Sequence, residues 1–418
     1  MFKRLVLEKG VYALLDKIVL ALIGFLSIFL AARIIPQPEY GALMLSLSIY
    51  AFLILFGELG TGSALVKYGA EREDMGAVAI NALFVKVLGA LLFSFISVLL
   101  SSLLPDILHS PQLHTLLLIM PLLIAATIFN TFFKQLLHAK QQFKHLLCID
   151  AAGLGTMLLL FLLLTHFHLM NSALNVLFIL IATHVVSMLF GIFILRPFFH
   201  IRGELNTYWL SKITRFGSYA TVGALGSMMY TRTDMLLLGY FLGAGSVAVY
   251  ASAWTIANAM YIIPQAASMV FFPLVSRMSI SNRTDRHQLM RSVYIKSVGT
   301  VLLITVPLSL LFLLFPEMIL HLLYKEKYLT AAPVLQVLAL WGIIRPWGNL
   351  AGAGVEGMGK PNVNALLIWL ATVLNLSGNI LLIPRMGAVG AALASVIAFS
   401  VSGPICVCYF YYLTRQRI

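Results

Sequence analysis

Charged side chains are scarce in this chain. Asp, Glu, Lys and Arg together make up 10% of its 418 residues, whereas hydrophobic residues make up 61%. Ordinary soluble domains carry about 25% charged residues. A water-soluble fold cannot hide this much apolar surface, because surface-to-volume scaling leaves too much of it outside. The composition therefore excludes an ordinary soluble domain and indicates that lipid is the solvent for most of the chain.

Cysteine is also rare, and common metal and nucleotide motifs are missing. Cys148, Cys406 and Cys408 have no metal-ligand spacing and fall in or beside apolar runs, so we interpret them as small packing residues. The ten histidines include no His-Glu-x-x-His pattern, and the sequence contains no Gly-x-x-x-x-Gly-Lys-Ser/Thr loop. We therefore predict no metal site, no cofactor, no catalytic residue and no nucleotide hydrolysis.

What the sequence does contain is long apolar runs without charge, such as Val87–Pro105, Leu169–Leu195, Pro361–Pro384 and Met386–Thr414. Backbone polar groups must be paired within lipid, so only helices and closed barrels can span it. Barrel strands alternate apolar and polar residues, and these runs do not. We predict an all-α polytopic membrane protein with about twelve transmembrane helices: 11–32, 42–66, 76–104, 113–137, 144–166, 172–196, 215–240, 246–276, 290–316, 331–357, 361–384 and 387–413.

The basic residues are distributed unevenly between the two sides of these spans. With the N-terminus inside, only Arg33, Lys325, Lys327 and Arg385 fall outside, and most other Lys and Arg residues fall in inner loops. This bias is typical of cytoplasmic loops and accounts for the net charge of +13 without nucleic-acid binding. We predict that both termini are cytoplasmic.

The spans form two groups of six. We predict an N-terminal bundle over 1–200, an amphipathic linker at the cytoplasmic interface over 201–214, and a C-terminal bundle over 215–418. Because each group holds an even number of spans, both begin on the same side of the membrane. That arrangement is typical of parallel repeats.

Three sequence blocks resemble a known family. The first runs from Arg33 through Tyr40-Gly41 to Phe56-Gly-Glu-Leu-Gly-Thr-Gly-Ser-Ala-Leu-Val-Lys67. The second runs from Asp234-Met-Leu-Leu-Leu-Gly to Tyr250-Ala-Ser-Ala. The third begins at Asn375 and contains Ile383-Pro-Arg-Met-Gly-Ala-Val-Gly-Ala-Ala. At these residues the chain resembles the polysaccharide (O-antigen and exopolysaccharide) flippases of the multidrug/oligosaccharidyl-lipid/polysaccharide exporter superfamily, although Glu58 stands where many relatives carry Asp.

The resemblance implies a V-shaped transporter made of two six-helix bundles that works by alternating access. The implied cargo is an undecaprenyl-pyrophosphate-linked oligosaccharide, flipped from the cytoplasmic to the periplasmic leaflet of a bacterial inner membrane for surface polysaccharide biosynthesis. The implied partners are membrane lipids, an H⁺ or Na⁺ counter-ion, a polysaccharide polymerase and a chain-length regulator.

Ionisable residues inside spans are the candidate functional groups, because each costs at least about 2.5–3.5 kcal/mol at mid-bilayer and normally faces a partner or a wet cavity. For substrate binding we select the three cations Arg232, Arg345 and Lys86. For gating or ion coupling we select the carboxylates Asp234, Glu58, Asp16 and Asp150.

Each selection has a structural alternative. Arg345 could meet an anionic pyrophosphate or an acidic sugar, or could pair with a carboxylate on another helix. Arg232 and Asp234 point about 200° apart on a helix, so they cannot pair with each other. Lys86 could instead extend towards the interface. Asn375 and Asn379 share a helix face, where they could bind sugar hydroxyls or make interhelical hydrogen bonds.

Two other functions compete with the flippase. An ion-coupled multidrug or small-molecule antiporter of the same superfamily would have a more apolar, aromatic cavity dominated by a carboxylate. A membrane glycosyltransferase or polymerase would need an acidic pair on a sizeable outer loop. The longest outer loop, 316–330, contains only Glu317 and Glu326, so we predict that the protein is not an enzyme.

Overall fold

The structure is a computed structural model that describes residues 2–71, 75–196, 203–281 and 285–415. Its regular elements within these residues are all helical, which confirms the predicted all-α fold. Contacts divide the chain into two compact units, Met1–Leu225 (unit 1) and Gly226–Ile418 (unit 2).

Unit 1 contains α1 (Phe2–Ile34), α2 (Gln37–Glu58), α3 (Thr61–Ala70), α4 (Gly76–Ile107), α5 (Gln112–Ala139), α6 (Phe143–His166), α7 (Ala173–Leu195) and the start of α8 (Thr207–Ser279). The chain turns between α2 and α3 because Leu59 and Gly60 both have left-handed backbone conformations, with φ of 43° and 62°. A Cβ atom at Gly60 would lie 2.3 Å from the carbonyl oxygen of Gly217. Glycine therefore permits both the turn and the close approach of α8.

The predicted linker 201–214 lies partly outside the described residues, which resume at 203. α8 already begins at Thr207, and Trp209 and Ile213 are buried in the core of unit 1. The ring of Trp209 lies 6.0 Å from that of Tyr68. Trp209 thus packs against α3, and the division into 1–200, 201–214 and 215–418 stays a prediction.

Unit 2 contains the rest of α8, α9 (Arg286–Leu314), α10 (Pro316–Tyr324), a 3₁₀ helix (Lys325–Ala331), α11 (Ala332–Ala339), α12 (Trp341–Gly357) and α13 (Pro361–Leu413). α8 has 73 residues and α13 has 53, each far longer than the roughly 20 residues that cross a bilayer. Glycines with positive φ interrupt both helices, Gly243 at 75° and Gly387 at 58°. Each long helix therefore holds two predicted spans joined at a glycine.

In the described part of the chain, nine helices are long and apolar enough to cross a membrane, and a pair bent by 40°, Pro316–Ala339 with Trp341–Gly357, forms a tenth candidate. Because α8 and α13 are of double length, this number is compatible with twelve spans. Large apolar side chains such as Leu91 and Leu303 are 65% and 77% exposed, as expected of surfaces that face lipid. The chain is a multi-pass α-helical membrane protein.

Candidate functional site

A cavity of about 430 Å³ lies wholly within unit 2 and is bounded by α8, α12 and both arms of α13. We refer to it as the unit 2 cavity. Its volume falls in the range of about 300–1,000 Å³ that is usual for small-molecule sites. Its lining includes five aromatic and four amide side chains, namely Tyr230, Trp254, Tyr261, Trp341, Phe399, Asn258, Gln265, Asn349 and Asn364.

One face of α8 supplies much of this lining. The residues are Trp254, Asn258, Tyr261, Gln265 and Ser268, spaced alternately by four and three positions. Since an α-helix repeats every 3.6 residues, this spacing places all five on one face. We call this face the α8 stripe. Every member carries a hydrogen-bonding group, which is unusual for a helix inside lipid and indicates that the stripe faces a polar space.

α12 brings Arg345 to the cavity through a local break in helical hydrogen bonding. Pro346 has no N–H to donate to the carbonyl oxygen of Gly342 four residues earlier. The hydroxyl of Thr305 on α9 donates to that oxygen instead, at 2.6 Å. A neighbouring helix therefore satisfies the freed carbonyl, as membrane helices containing proline require.

Aromatic rings surround the guanidinium of Arg345. Its central carbon lies 3.8 Å from the ring centroid of Trp341, 4.3 Å from Tyr261, 5.5 Å from Phe399 and 5.9 Å from Tyr230. The residue is 6% exposed, and its Nε has no hydrogen-bond partner among the described residues. Cation–π attraction offsets part of the cost of desolvating the charge. The positive charge is thus held by rings, without a carboxylate partner in the described part of the chain.

Asp234 is also buried at the cavity, but hydrogen-bond donors surround its carboxylate. Oδ2 accepts hydrogen bonds from the hydroxyls of Tyr250 at 2.5 Å and Ser395 at 2.6 Å. Oδ1 accepts one from the Asn379 amide at 2.7 Å, and Asn375 donates to the Ser395 hydroxyl at 2.9 Å. These five residues form what we call the Asp234 cluster. Asn375 and Asn379 therefore make hydrogen bonds between helices, one of the two alternatives that the sequence leaves open.

Two further ionisable groups of unit 2 lie close to the cavity. Glu356 lines it, and its Oε1 accepts a hydrogen bond from the Asn364 amide at 2.6 Å. Arg232 lies beside the lining, with its guanidinium 5.8 Å from the ring centroid of Trp254. The Nη1 atom of Arg232 is buried and has no hydrogen-bond partner among the described residues. The guanidinium of Arg232 therefore has an N–H donor at Nη1 that could bind a ligand.

In unit 1, two of the selected residues pair with each other. The ammonium of Lys86 on α4 lies 2.9 Å from Oε1 of Glu58 at the end of α2. The hydroxyl of Thr131 on α5 donates to the same oxygen at 2.5 Å. Lys86 is fully buried, so the carboxylate of Glu58 compensates a charge that would otherwise be isolated in lipid.

A second group in unit 1 joins α1, α5 and α6. Lys134 forms an ion pair with Asp150 at 2.7 Å. Asp16 is buried and interacts electrostatically with both residues. One oxygen of each carboxylate, Asp16 Oδ1 and Asp150 Oδ2, has no hydrogen-bond partner among the described residues. The carboxylates of Asp16 and Asp150 thus lie close to the ammonium of Lys134, which pairs directly with Asp150.

The structure brings some of the selected residues together and separates others. Arg345 and Asp234 share the unit 2 cavity, whereas Lys86 and Glu58 form a pair elsewhere, in unit 1. The α8 stripe is not among the residues predicted from the sequence, although its alternating spacing of aromatic and amide residues is present there. Within the described residues, no group of three or more His, Cys, Asp or Glu side chains is placed to hold a metal ion.

A family model described as "Polysaccharide biosynthesis protein" matches residues 30–333, which is most of the chain. The chain belongs to this family. The resemblance stated from the sequence blocks is thereby confirmed. A family relative, the lipopolysaccharide biosynthesis protein WzxC of Escherichia coli strain K12, is 23% identical over 382 residues, covering 90% of this chain and 74% of WzxC.

Solved structures show the same fold. An inward-facing multidrug resistance MATE family transporter of the MOP superfamily has a TM-score of 0.76, with coverage of 96% of this chain and 98% of its own. The lipid II flippase MurJ in an inward closed conformation has a TM-score of 0.74, with coverage of 98% and 88%. Both are 16% identical to this chain, so the likeness concerns the fold.

Proposed function

We propose that this protein flips an undecaprenyl-pyrophosphate-linked oligosaccharide from the cytoplasmic to the periplasmic leaflet of a bacterial inner membrane by alternating access. The observation that carries the proposal is Arg345, a buried cation without a carboxylate partner among the described residues, at a cavity that aromatic and hydrogen-bonding side chains line inside a lipid-solvated helical unit. Such a charge is costly in lipid unless it serves a wet pathway. Membership of the polysaccharide biosynthesis family supports a glycan cargo.

The cationic residues have distinct roles in this proposal. Arg345 contacts cargo inside the unit 2 cavity. Arg232, with unused donors beside the cavity, contacts the phosphate groups, for which a planar guanidinium is well suited. Lys86 becomes a substrate contact only in a state in which Glu58 releases it, because the two are paired in this structure.

The buried carboxylates couple transport of the cargo to the movement of H⁺ or Na⁺. The Asp234 cluster offers a carboxylate and several neutral oxygens in one place, which suits a proton or Na⁺. Glu58, Asp16 and Asp150 provide gating or proton-binding groups in unit 1. A membrane potential supplies about 2.3 kcal/mol per charge per 100 mV, so an H⁺ or Na⁺ antiport can drive the cycle.

The proposal also covers the membrane topology, the partner proteins and the type of reaction. Both termini lie in the cytoplasm, in accordance with the distribution of Lys and Arg. A polymerase and a chain-length regulator take over the glycan after it has crossed. The protein transports its cargo and performs no covalent chemistry on it, in contrast to a glycosyltransferase or polymerase.

A second candidate function is ion-coupled antiport of multidrug or other small molecules. The five aromatic side chains of the unit 2 cavity favour it, as does the structural similarity to a multidrug transporter. A drug-resistance profile that depends on this protein would support the antiporter over the flippase.

Deletion of the gene, followed by mapping of lipid-linked glycans in each leaflet, tests the proposed function. We expect these glycans to accumulate on the cytoplasmic side of the membrane. When the Arg345→Ala variant replaces the native protein in the deletion strain, we expect little export although the variant is present at normal abundance. Trp347→Ala is the matched control, because Trp347 lies on the same helix, is 42% exposed and does not line the cavity. Unchanged sidedness in the deletion strain would rule the flippase out.

A further inference from the structure

The lining of the unit 2 cavity has the chemistry of a sugar site. Along the α8 stripe the aromatic residues Trp254 and Tyr261 alternate with the amides Asn258 and Gln265. The C–H bonds of a pyranose face carry partial positive charge and pack on the negative face of an aromatic ring. Amides both donate and accept hydrogen bonds, so they match hydroxyl groups, which do the same.

The charges at the cavity disfavour a phosphate group. Its lining includes two carboxylates, those of Asp234 and Glu356, and one guanidinium, that of Arg345. With both carboxylates ionised, the lining itself holds two negative charges and one positive charge, and the guanidinium of Arg232 lies beside the lining rather than in it. A pyrophosphate would bring further negative charge into this space, where Coulomb repulsion is stronger than in water. Neutral hydroxyl groups meet no such repulsion, and both carboxylates can accept hydrogen bonds from them.

The surroundings of Arg345 also suit a neutral ligand. The rings of Trp341 and Tyr261 hold the guanidinium at 3.8 Å and 4.3 Å, so little conformational freedom is left to lose on binding. Its N–H groups can donate to hydroxyl and ring oxygens of a sugar. The cavity volume of about 430 Å³ is enough for only part of a lipid-linked oligosaccharide.

We propose that the unit 2 cavity binds neutral sugar rings of the cargo, while the pyrophosphate binds outside this cavity. The inference rests on the proposed flippase function and assigns one part of the cargo to one site. Trp254 and Tyr261 stack on the sugar, the amides Asn258 and Gln265 bind its hydroxyls, and Arg345 donates to its oxygens.

The test uses the full chain, purified in lipid nanodiscs, and two probes. The first probe is the oligosaccharide released by mild acid from the lipid-linked pool of the deletion strain, and the second is inorganic pyrophosphate. Binding is followed by tryptophan fluorescence, since Trp254 and Trp341 line the cavity. We expect saturable binding of the oligosaccharide, and we expect no competition from pyrophosphate at equal concentration.

Variants assign the binding to the cavity. Gln265→Leu is nearly isosteric at an exposed position of the stripe, and we expect it to weaken oligosaccharide binding about tenfold, or about 1.4 kcal/mol. Trp254→Phe should weaken binding less than Trp254→Leu, because phenylalanine keeps an aromatic face. Trp347→Leu, outside the cavity, should leave the affinity unchanged.

The outcomes separate this inference from the proposed function. If lipid-linked glycan does not accumulate in the deletion strain, the flippase proposal fails, and the sugar site fails with it. If the glycan accumulates but the released oligosaccharide does not bind, or binds equally well to Gln265→Leu, only the sugar site is overturned. Competition by pyrophosphate that Arg345→Met abolishes would assign the cavity to the phosphate instead.

Discussion

The guanidinium carbon of Arg345 lies 3.8 Å from the ring centroid of Trp341, four residues earlier on the same helix. That spacing places the two side chains on one face of α12. The ring holds the cation in a fixed position at the cavity, and it does so without cancelling the charge as a carboxylate would. Arg345 is therefore available to a ligand while it remains buried.

Replacing Arg345 by lysine tests whether the planar cation matters. Lysine keeps the charge but lacks the flat guanidinium that stacks on rings and donates in a fork. We expect Arg345→Lys to lower glycan export about tenfold or more, equivalent to about 1.4 kcal/mol, measured by complementation of the deletion strain. Arg345→Met should abolish export. Full export in Arg345→Lys would mean that charge alone is sufficient.

Thr305 and Pro346 form a pair whose coupling can be measured. Thr305→Val leaves the carbonyl oxygen of Gly342 without its hydrogen bond, and interhelical hydrogen bonds in membranes contribute about 0.6–2 kcal/mol. We expect a lower thermal unfolding temperature of the purified protein. Pro346→Ala supplies the missing backbone N–H, so adding it to Thr305→Val should recover much of the loss. An unchanged loss in the double variant would refute this account of the helix break.

Asp234 can be neutralised with little change of shape. Asp234→Asn removes the charge that a proton or Na⁺ would compensate, and it places an amide donor among the donors Tyr250, Asn379 and Ser395. We expect transport driven by an ion gradient in proteoliposomes to be lost while the protein still reaches the membrane. The matched control is Asp106→Asn, at an exposed position near the end of α4. Equal transport by both variants would remove Asp234 from the coupling mechanism.

Because Lys86 and Glu58 form an ion pair, the losses of stability from substituting each residue alone should not add up in the double variant. Removing one partner of a buried pair leaves an uncompensated charge and costs about 3–5 kcal/mol. We therefore expect Lys86→Met to lower thermal stability strongly, and the double variant with Glu58→Gln to be more stable than Lys86→Met alone. Additive losses would contradict the pairing.

The same double variant also tests a transport role for Lys86. If the lysine contacts cargo once Glu58 releases it, glycan export stays low even where stability recovers. Normal export in the double variant would leave Lys86 with a structural role only.

The composition and order of the residues determined the fold class. A chain that crosses lipid must pair its backbone polar groups in helices or closed barrels, and long uncharged runs that do not alternate apolar and polar residues predict helices. The structure shows where the two longest helices divide, since Gly243 and Gly387 adopt backbone angles that other residues rarely adopt. The positions of Arg345 and Asp234 inside spans marked them as candidates because buried charge is expensive.

Only the tertiary structure decided which partner each buried charge has. Lys86 pairs with a carboxylate from another helix, Asp234 is bound by neutral donors, and Arg345 is held by aromatic rings. These differences depend on which helices are neighbours and how each is rotated. In lipid, apolar packing gives little sequence signal for either. The local sequence therefore fixes where charge enters the membrane, and the packing of distant helices fixes what that charge can bind.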